Sequence, residues 1–346
     1  MKQLVVALLM LITGLALAPA EASSPIKTSP EGAATTSPVS FEAIPLNLED
    51  RSKTRVGKLT YLGGLKIKSS DPRLGGLSSL IISEDGSQML TVSDCGLWVG
   101  ASLDYTNGQL TGLHNLVISP LLGLKGESLY SCDTAKHNGD AESLTELPGI
   151  GLVVGFEGWH RLWVYGATMN DYMMHKLPHP LPLPVTIMDE LATLPNNGGI
   201  ESLTTLKDGR TLVAISEDNP KGGDIVPAWI IGETQISRFS YVASEGFRAS
   251  DLTTLPDGDL MVLERRLTLM QGLGARLKRI RKEDLRDGKI VYGEEVATLS
   301  YPYNIDNMEG IAARTGPDGK TLIYIVSDDN YFPLQRTILM MFRLED

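Results

Sequence analysis

The sequence predicts an all-β protein, a β-propeller of four-stranded blades, on three observations. A loose repeat recurs along the chain, its copies about 60 residues apart. Each copy opens as strand, tight turn, strand. No sustained 3.6-residue apolar periodicity runs through the 346 residues, which disfavours a helical solenoid.

Before the repeats, Lys2 supplies a positive start and Leu4 to Ala18 an apolar run, followed by small residues around Ala20 and Ala22. This reads as a cleavable export signal over residues 1–22, too short for a comfortable membrane span. No later segment approaches eighteen consecutive apolar residues, so no stable span is expected after cleavage. Residues 23–52 begin rich in Ser, Thr, Pro and Ala and are expected to form a flexible leader, with the propeller over 53–346. The expected location is periplasmic or secreted. Cys95 and Cys132 either pair, as an oxidising compartment allows, or stand as separate buried thiols.

Five segments open the repeats: Gly75 to Leu80, Ala141 to Leu147, Ile200 to Leu206, Ser250 to Leu255 and Met308 to Ala313. Each runs into a turn, four of them Asp-Gly and one Pro148-Gly149. Gly accepts the positive φ that such turns need. A β-rich run follows each turn: Met89 to Asp94, Leu152 to Glu157, Leu212 to Glu217, Leu260 to Glu264 and Leu322 to Asp328. Further strand-like runs, such as Gln235 to Val242 and Arg276 to Ile280, fill out the units. The last repeat ends one strand short, and Lys58 to Ile67 would supply its outer strand and close the ring. This predicts five blades, or six if one lies within Trp98 to Asp140.

Hairpin geometry sets the start of strand one beside the end of strand two. Glu142 then falls near Glu157, Glu201 near Glu217, Asp251 near Glu264, and Glu309 near Asp328, with Asp94 opposite glycines. With the first strands innermost, these acids gather at one mouth of the central channel, joined by Asp218, Asp329 and Asn330. Like charges so close raise one another's pKa unless compensated. Calcium or another hard divalent cation, held by Glu142, Glu201, Glu217, Glu264, Glu309, Asp328 and Asp329, is one compensation. Pairing with Arg161, Arg265, Arg266 or Arg336 is a second. Acids kept protonated, able to act as general acids, are a third. The same acids could also serve only to latch neighbouring blades.

The net charge of −11 argues against binding a phosphate backbone. None of the five histidines forms a zinc spacing. His160, in Phe-Glu-Gly-Trp-His-Arg at 156–161, is the general acid/base candidate beside Glu157. His179 sits in a Pro-rich extended segment. No nucleophile elbow, Walker loop or dinucleotide fingerprint is present.

Gly-Gly-Leu-Ser at 75–78, the 156–161 segment, Gly-Ile-Glu-Ser at 199–202, Leu-Glu-Arg-Arg at 263–266, Asn-Met-Glu-Gly-Ile at 307–311 and Ser-Asp-Asp-Asn-Tyr-Phe-Pro-Leu-Gln-Arg-Thr at 327–337 together resemble the bacterial phytase-like domain, described by its esterase-like activity of phytase. The resemblance runs from about Leu59 to the C-terminus. It implies an exported β-propeller and a phosphoester or ester hydrolase. The expected activity is metal-assisted hydrolysis of a small phosphorylated or ester substrate by a monomer, with Arg161, Arg265 or Arg266 clamping phosphate oxygens. A non-enzymatic periplasmic propeller that binds a ligand or protein is one alternative. A lactonase or carboxylic-ester hydrolase is another.

Overall fold

Alternating apolar residues in each repeat build five antiparallel sheets, arranged as a five-bladed propeller, in a computed structural model that describes residues 34–132, 138–173, 183–184, 191–268 and 271–345. The export-type segment and His137, His175 and His179 lie outside the described residues. Blade 1 runs outward from Ile81–Ile82 through Gln88–Ser93 and Leu97–Thr106 to Gln109–Pro120. Blade 2 comprises Ala141–Leu147, Gly151–Phe156, Arg161–Tyr165 and Leu183–Pro184. Blade 3 comprises Ile200–Thr205, Leu212–Ser216, Ile225–Ile231 and Ile236–Val242, and Ile290–Val291 adds to its edge in parallel. Blade 4 comprises Arg248–Thr254, Leu260–Thr268, Gly272–Ile280 and Glu294–Ser300. Blade 5 begins with Asn307–Thr315, Thr321–Asp328 and Ile338–Leu344.

The ring closes as the sequence predicts. Leu59–Ser69 pairs antiparallel with Ile338–Leu344 and completes blade 5 from the N-terminal side. No sixth blade lies between Trp98 and Asp140, because Leu97–Thr106 and Gln109–Pro120 are the outer strands of blade 1. The expected flexible leader gives way to structure from Thr35. Thr35–Ser37 pairs with Gln109–Pro120, and Val39–Ala43 pairs with Leu59–Ser69. These segments cover exposed edges of blades 1 and 5, which a low-apolar strand can do without packing a core.

Each sheet buries both faces, so successive residues serve different neighbours. In blade 5, Ile323 and Ile325 join the core against blade 4, whereas Tyr324 and Val326 join the core against blade 1. Five apolar clusters fill the five gaps between blades. The Asp-Gly turns are built alike. Asp85, Asp208, Asp257 and Asp318 each accept, on Oδ1, the amide two residues on, and the following glycine takes a positive φ.

The innermost strands are also tied by polar side chains. Thr145 meets Thr205, and Thr204 meets Thr254, each across a blade boundary. Asp251 is fully buried and reaches further than any of these. It accepts from the Ile311 amide of blade 5 at 2.7 Å and from Ser79 Oγ of the blade 1 repeat at 3.1 Å. Ser79 Oγ in turn accepts from the Leu144 amide of blade 2. One carboxylate thus links blade 4 to three others. Cys95 and Cys132 form a disulfide that closes the connection from blade 1 toward blade 2.

Two stability predictions follow from this framework. Asp251→Ala strands buried donors and is expected to destabilise the fold by about 2–4 kcal/mol. An unchanged denaturation midpoint would show that this latch holds nothing. Replacing both Cys95 and Cys132 by Ser is expected to remove about 2–4 kcal/mol. The check is equilibrium unfolding with and without reductant, in which the wild type should respond to reductant and the variant should not.

Candidate active site

The site is made by a repeated irregularity in the innermost strands. Pairing between strands one and two slips by one residue in blades 2 to 5, leaving an extra residue on the inner strand. Those extra residues are Glu142, Glu201, Ser250 and Glu309. In blade 1, the Leu77–Ser93 bridge and the Ile81–Leu90 pair are offset in the same way, around Ser78. A bulge re-aims the side chain of its unpaired residue. The position just past the pair below each bulge is Asp94, Glu157, Glu217, Arg265 and Asp328 in blades 1 to 5.

Blade 4 therefore departs from the predicted ring. Its bulge residue is Ser250, not Asp251, and its strand-end residue is Arg265, not Glu264. A one-residue shift turns a strand's side chains to other partners. Asp251 becomes the interblade latch. Glu264 is fully buried beside Arg276 Nε at 2.5 Å and accepts from Tyr241 Oη at 2.7 Å, away from the channel mouth. The ring thus carries a guanidinium where the repeat pattern predicts an acid.

A cavity of about 450 Å³ opens at this mouth. Seven carboxylates line it: Asp94, Asp140, Glu142, Glu157, Glu201, Glu309 and Asp328. Among the described residues Arg265 is the one cation in its lining, with Ser78, Asn196, Asn197 and Asn330 as neutral polar neighbours. Arg265 lies 2.9 Å from Glu217, 2.9 Å from Glu309 and 3.8 Å from Glu201. These carboxylates, Glu309 foremost, hold its guanidinium firmly protonated. Burial pushes Glu309 up to about 7 even with Arg265 beside it. Burial also raises Glu201 well above its ordinary range, with the Glu217 charge adding to the effect. Glu201 and Glu217 share a hydrogen bond.

A second group stands on the blade 2 side. Carboxylate oxygens of Asp140, Glu142 and Glu157 lie within 4.8 Å of one another. Burial raises Glu142 well above its usual value, reinforced by the charges of Asp140 and Glu157. Burial also raises Glu157, although its Oε1 accepts the Gly198 amide and, at 2.8 Å, the Gly199 amide. Asp328 closes the far side, raised by burial and by Asp94.

The other predicted site residues stand outside the cavity lining. Arg161 turns its guanidinium onto Phe156 and Trp163 and donates to the Trp159 and Asn138 carbonyls. Arg266, next along the strand from Arg265, points the other way and lies over Phe247 at 4.3 Å. His160 Nε2 donates to the Pro195 carbonyl at 2.7 Å, which places the ring behind Glu157. Asp329 accepts from Thr337 Oγ1 and Asp218 from Arg248 Nε, both in the surrounding loops. Asp140 was not among the predicted ligands. Its signal was its place two residues before Glu142, which alternation puts on the same side of an extended segment.

All donors in the Asp140–Glu142–Glu157 group are carboxylate oxygens, the chemistry of a hard divalent cation. Among comparisons with known proteins, the family model for phytase-like sequences, described as "Esterase-like activity of phytase", matches residues 72–331. A search of curated proteins finds no match.

The raised carboxyls predict how stability responds to pH. A carboxyl whose folded pKa lies above its unfolded value stabilises fully below the unfolded value, and that contribution is lost as pH rises through the folded one. With divalent ions chelated, the melting temperature is expected to fall as pH rises from the ordinary glutamate range to about 7, the value for Glu309. Added calcium should raise it again at the alkaline end. A melting temperature that climbs across this window in chelator would contradict the charge crowding.

Proposed function

This chain belongs to the phytase-like family, and from that premise we propose that it is an exported, metal-assisted hydrolase of phosphate esters working at the acidic channel mouth. The observation that carries this reading is the three-carboxylate group of Asp140, Glu142 and Glu157 within a cavity that holds a single guanidinium. An anionic ester would be repelled by those carboxyls of the mouth that are ionised. Calcium, or another hard divalent cation on Asp140, Glu142 and Glu157, would supply the positive charge that draws in the ester and polarises it.

The chain's own residues do the rest. Arg265 lines the cavity and is held from two sides by Glu217 and Glu309, so its guanidinium has little freedom left to lose. It serves as the clamp on the phosphate oxygens. Glu201 lines the cavity and is raised by burial, which makes it the acid placed to protonate a leaving-group oxygen. Asn196, Asn197 and Asn330 offer amide donors that add no charge. The cavity's volume of about 450 Å³ suits a small ester.

Export is supported by the N-terminal segment and by the Cys95–Cys132 disulfide, which is consistent with an oxidising compartment. Among the described residues no helix is long and apolar enough to cross a membrane.

The test is a panel of phosphate monoesters, carboxylic esters and lactones assayed with calcium and after exhaustive chelation. Phosphate release that chelation abolishes and calcium restores is expected. Glu142→Gln and Glu157→Gln should each lower kcat/KM by about 100-fold. Arg265→Met should lower kcat on phosphate esters by roughly 10²–10³-fold. Hydrolysis that survives chelation would remove the metal from this reading. Turnover confined to lactones or carboxylic esters would change the substrate class, and no turnover at all would leave a binding propeller.

A further inference from the structure

Beside the acid mouth lies a second concavity of about 240 Å³, lined in part by Glu127, Ser128, Tyr130, Ser131, Trp159 and Arg161. The two share a wall of backbone. Asp140 and Glu157 line the mouth, whereas Gly139 and Trp159 line the groove. Trp159 is 70% exposed, an unusual allocation for the largest apolar side chain, and Tyr130 is 42% exposed beside the same groove.

Arg161 is the opposite case, at 8% exposed. Its guanidinium lies 3.9 Å from the Phe156 ring centroid and 4.3 Å from that of Trp163. One hydrogen bond each goes from Nη1 and Nη2 to backbone carbonyls. Nε is buried and has no hydrogen-bond partner among the described residues. Two of its five N–H hydrogens go to those carbonyls and the Nε hydrogen is sealed from solvent, so what Arg161 can offer the groove lies on its Nη atoms. Burial also lowers its pKa to about 10, which marks how little solvent supports the charge.

We propose that this groove is a saccharide subsite. Trp159 takes the apolar face of one neutral polyhydroxylated ring, and Arg161, Ser128, Ser131 and Glu127 provide the mixed donors and acceptors that ring hydroxyls require. An anionic ring fits less well, because the Glu127 carboxylate shares the lining. A purely apolar ring would offer neither charged group a hydrogen bond beyond the backbone ones they already make. The volume of about 240 Å³ accommodates one pyranose-sized ring. This inference rests on the groove and stands apart from the hydrolase reading.

The experiment titrates wild-type protein in chelator with the methyl glycosides of glucose, mannose, galactose and N-acetylglucosamine, followed by tryptophan fluorescence and ligand-observed NMR. Cyclohexanol and benzoate serve as the apolar and anionic ring controls. At least one glycoside is expected to saturate in the millimolar range, with both controls weaker. Trp159→Ala should weaken that glycoside about tenfold or more, and Tyr130→Ala should weaken it measurably. Both side chains are exposed, so the variants should melt with the wild type. No saturation by any glycoside, wild-type affinity in Trp159→Ala, or tighter binding of either control would overturn the proposal. Saccharide binding without ester hydrolysis would sink the hydrolase reading and leave this one standing.

Discussion

One extra residue near the start of each innermost strand determines what this propeller can do. Without the bulge, strict alternation would send Glu142, Glu201 and Glu309 into the apolar gaps between blades, where a carboxylate cannot stay charged. The bulge leaves each of them unpaired and turned to the channel mouth. The next residue in each strand returns to the interblade layer, where Ser79, Ser143 and Asp251 all make hydrogen bonds across a blade boundary. Mouth chemistry and ring cohesion are therefore adjacent positions of one local motif. A substitution that straightened the bulge would exchange them.

The electrostatics follow from that placement. A propeller brings equivalent positions together by symmetry, so an acid repeated in several blades is crowded by construction. Blade 4 departs furthest from the pattern, with Ser250 and Arg265, and its Arg265 supplies the cation that Glu201, Glu217 and Glu309 share. The compensation is local. It serves the side of the mouth formed by blades 3 to 5, while the Asp140–Glu142–Glu157 group lies on the blade 2 side. The asymmetry divides the mouth into a region already neutralised by protein and a region suited to an added cation.

Much of this was legible in the sequence, and the limits have physical reasons. The blades were visible because Asp-Gly turns and paired β-rich runs are local signals. Closure by the strand before the first repeat was visible because the last repeat was short. In blades 2, 3 and 5 the acids sit at matching positions, and Glu142, Glu157, Glu201, Glu309 and Asp328 line the mouth, whereas Glu217 meets it through Arg265. Blade 4 was misread by one residue, since Ser250-Asp251 and Glu264-Arg265 each contain an acid beside the true ring position. A bulge leaves no mark in composition, so the register could not be fixed from the pattern alone. Arg161 and His160 were drawn into the predicted site by closeness to Glu157 in the chain. The turn after Glu157 carries them outward, and Arg161 opens the next strand facing the groove. Thr35 to Ala43 looked like a linker because edge strands need few apolar residues.

The strip that runs from Asn138 to Asp140 and the turn from Glu157 to Trp159 has one face in each concavity. The backbone is paired there, with the Glu157 amide donating to the Asp140 carbonyl at 2.7 Å. Arg161 donates to the Asn138 and Trp159 carbonyls from the groove side, and the Gly198 and Gly199 amides hold Glu157 from the mouth side. A buried cation and two backbone amides thus hold the two short paired segments that carry two of the three clustered carboxylates. Such fixation is more than a connecting loop needs. It keeps Asp140 and Glu157 within 4.8 Å of Glu142 against their mutual repulsion. Carboxylates held together in that way by the fold are already organised before any cation arrives.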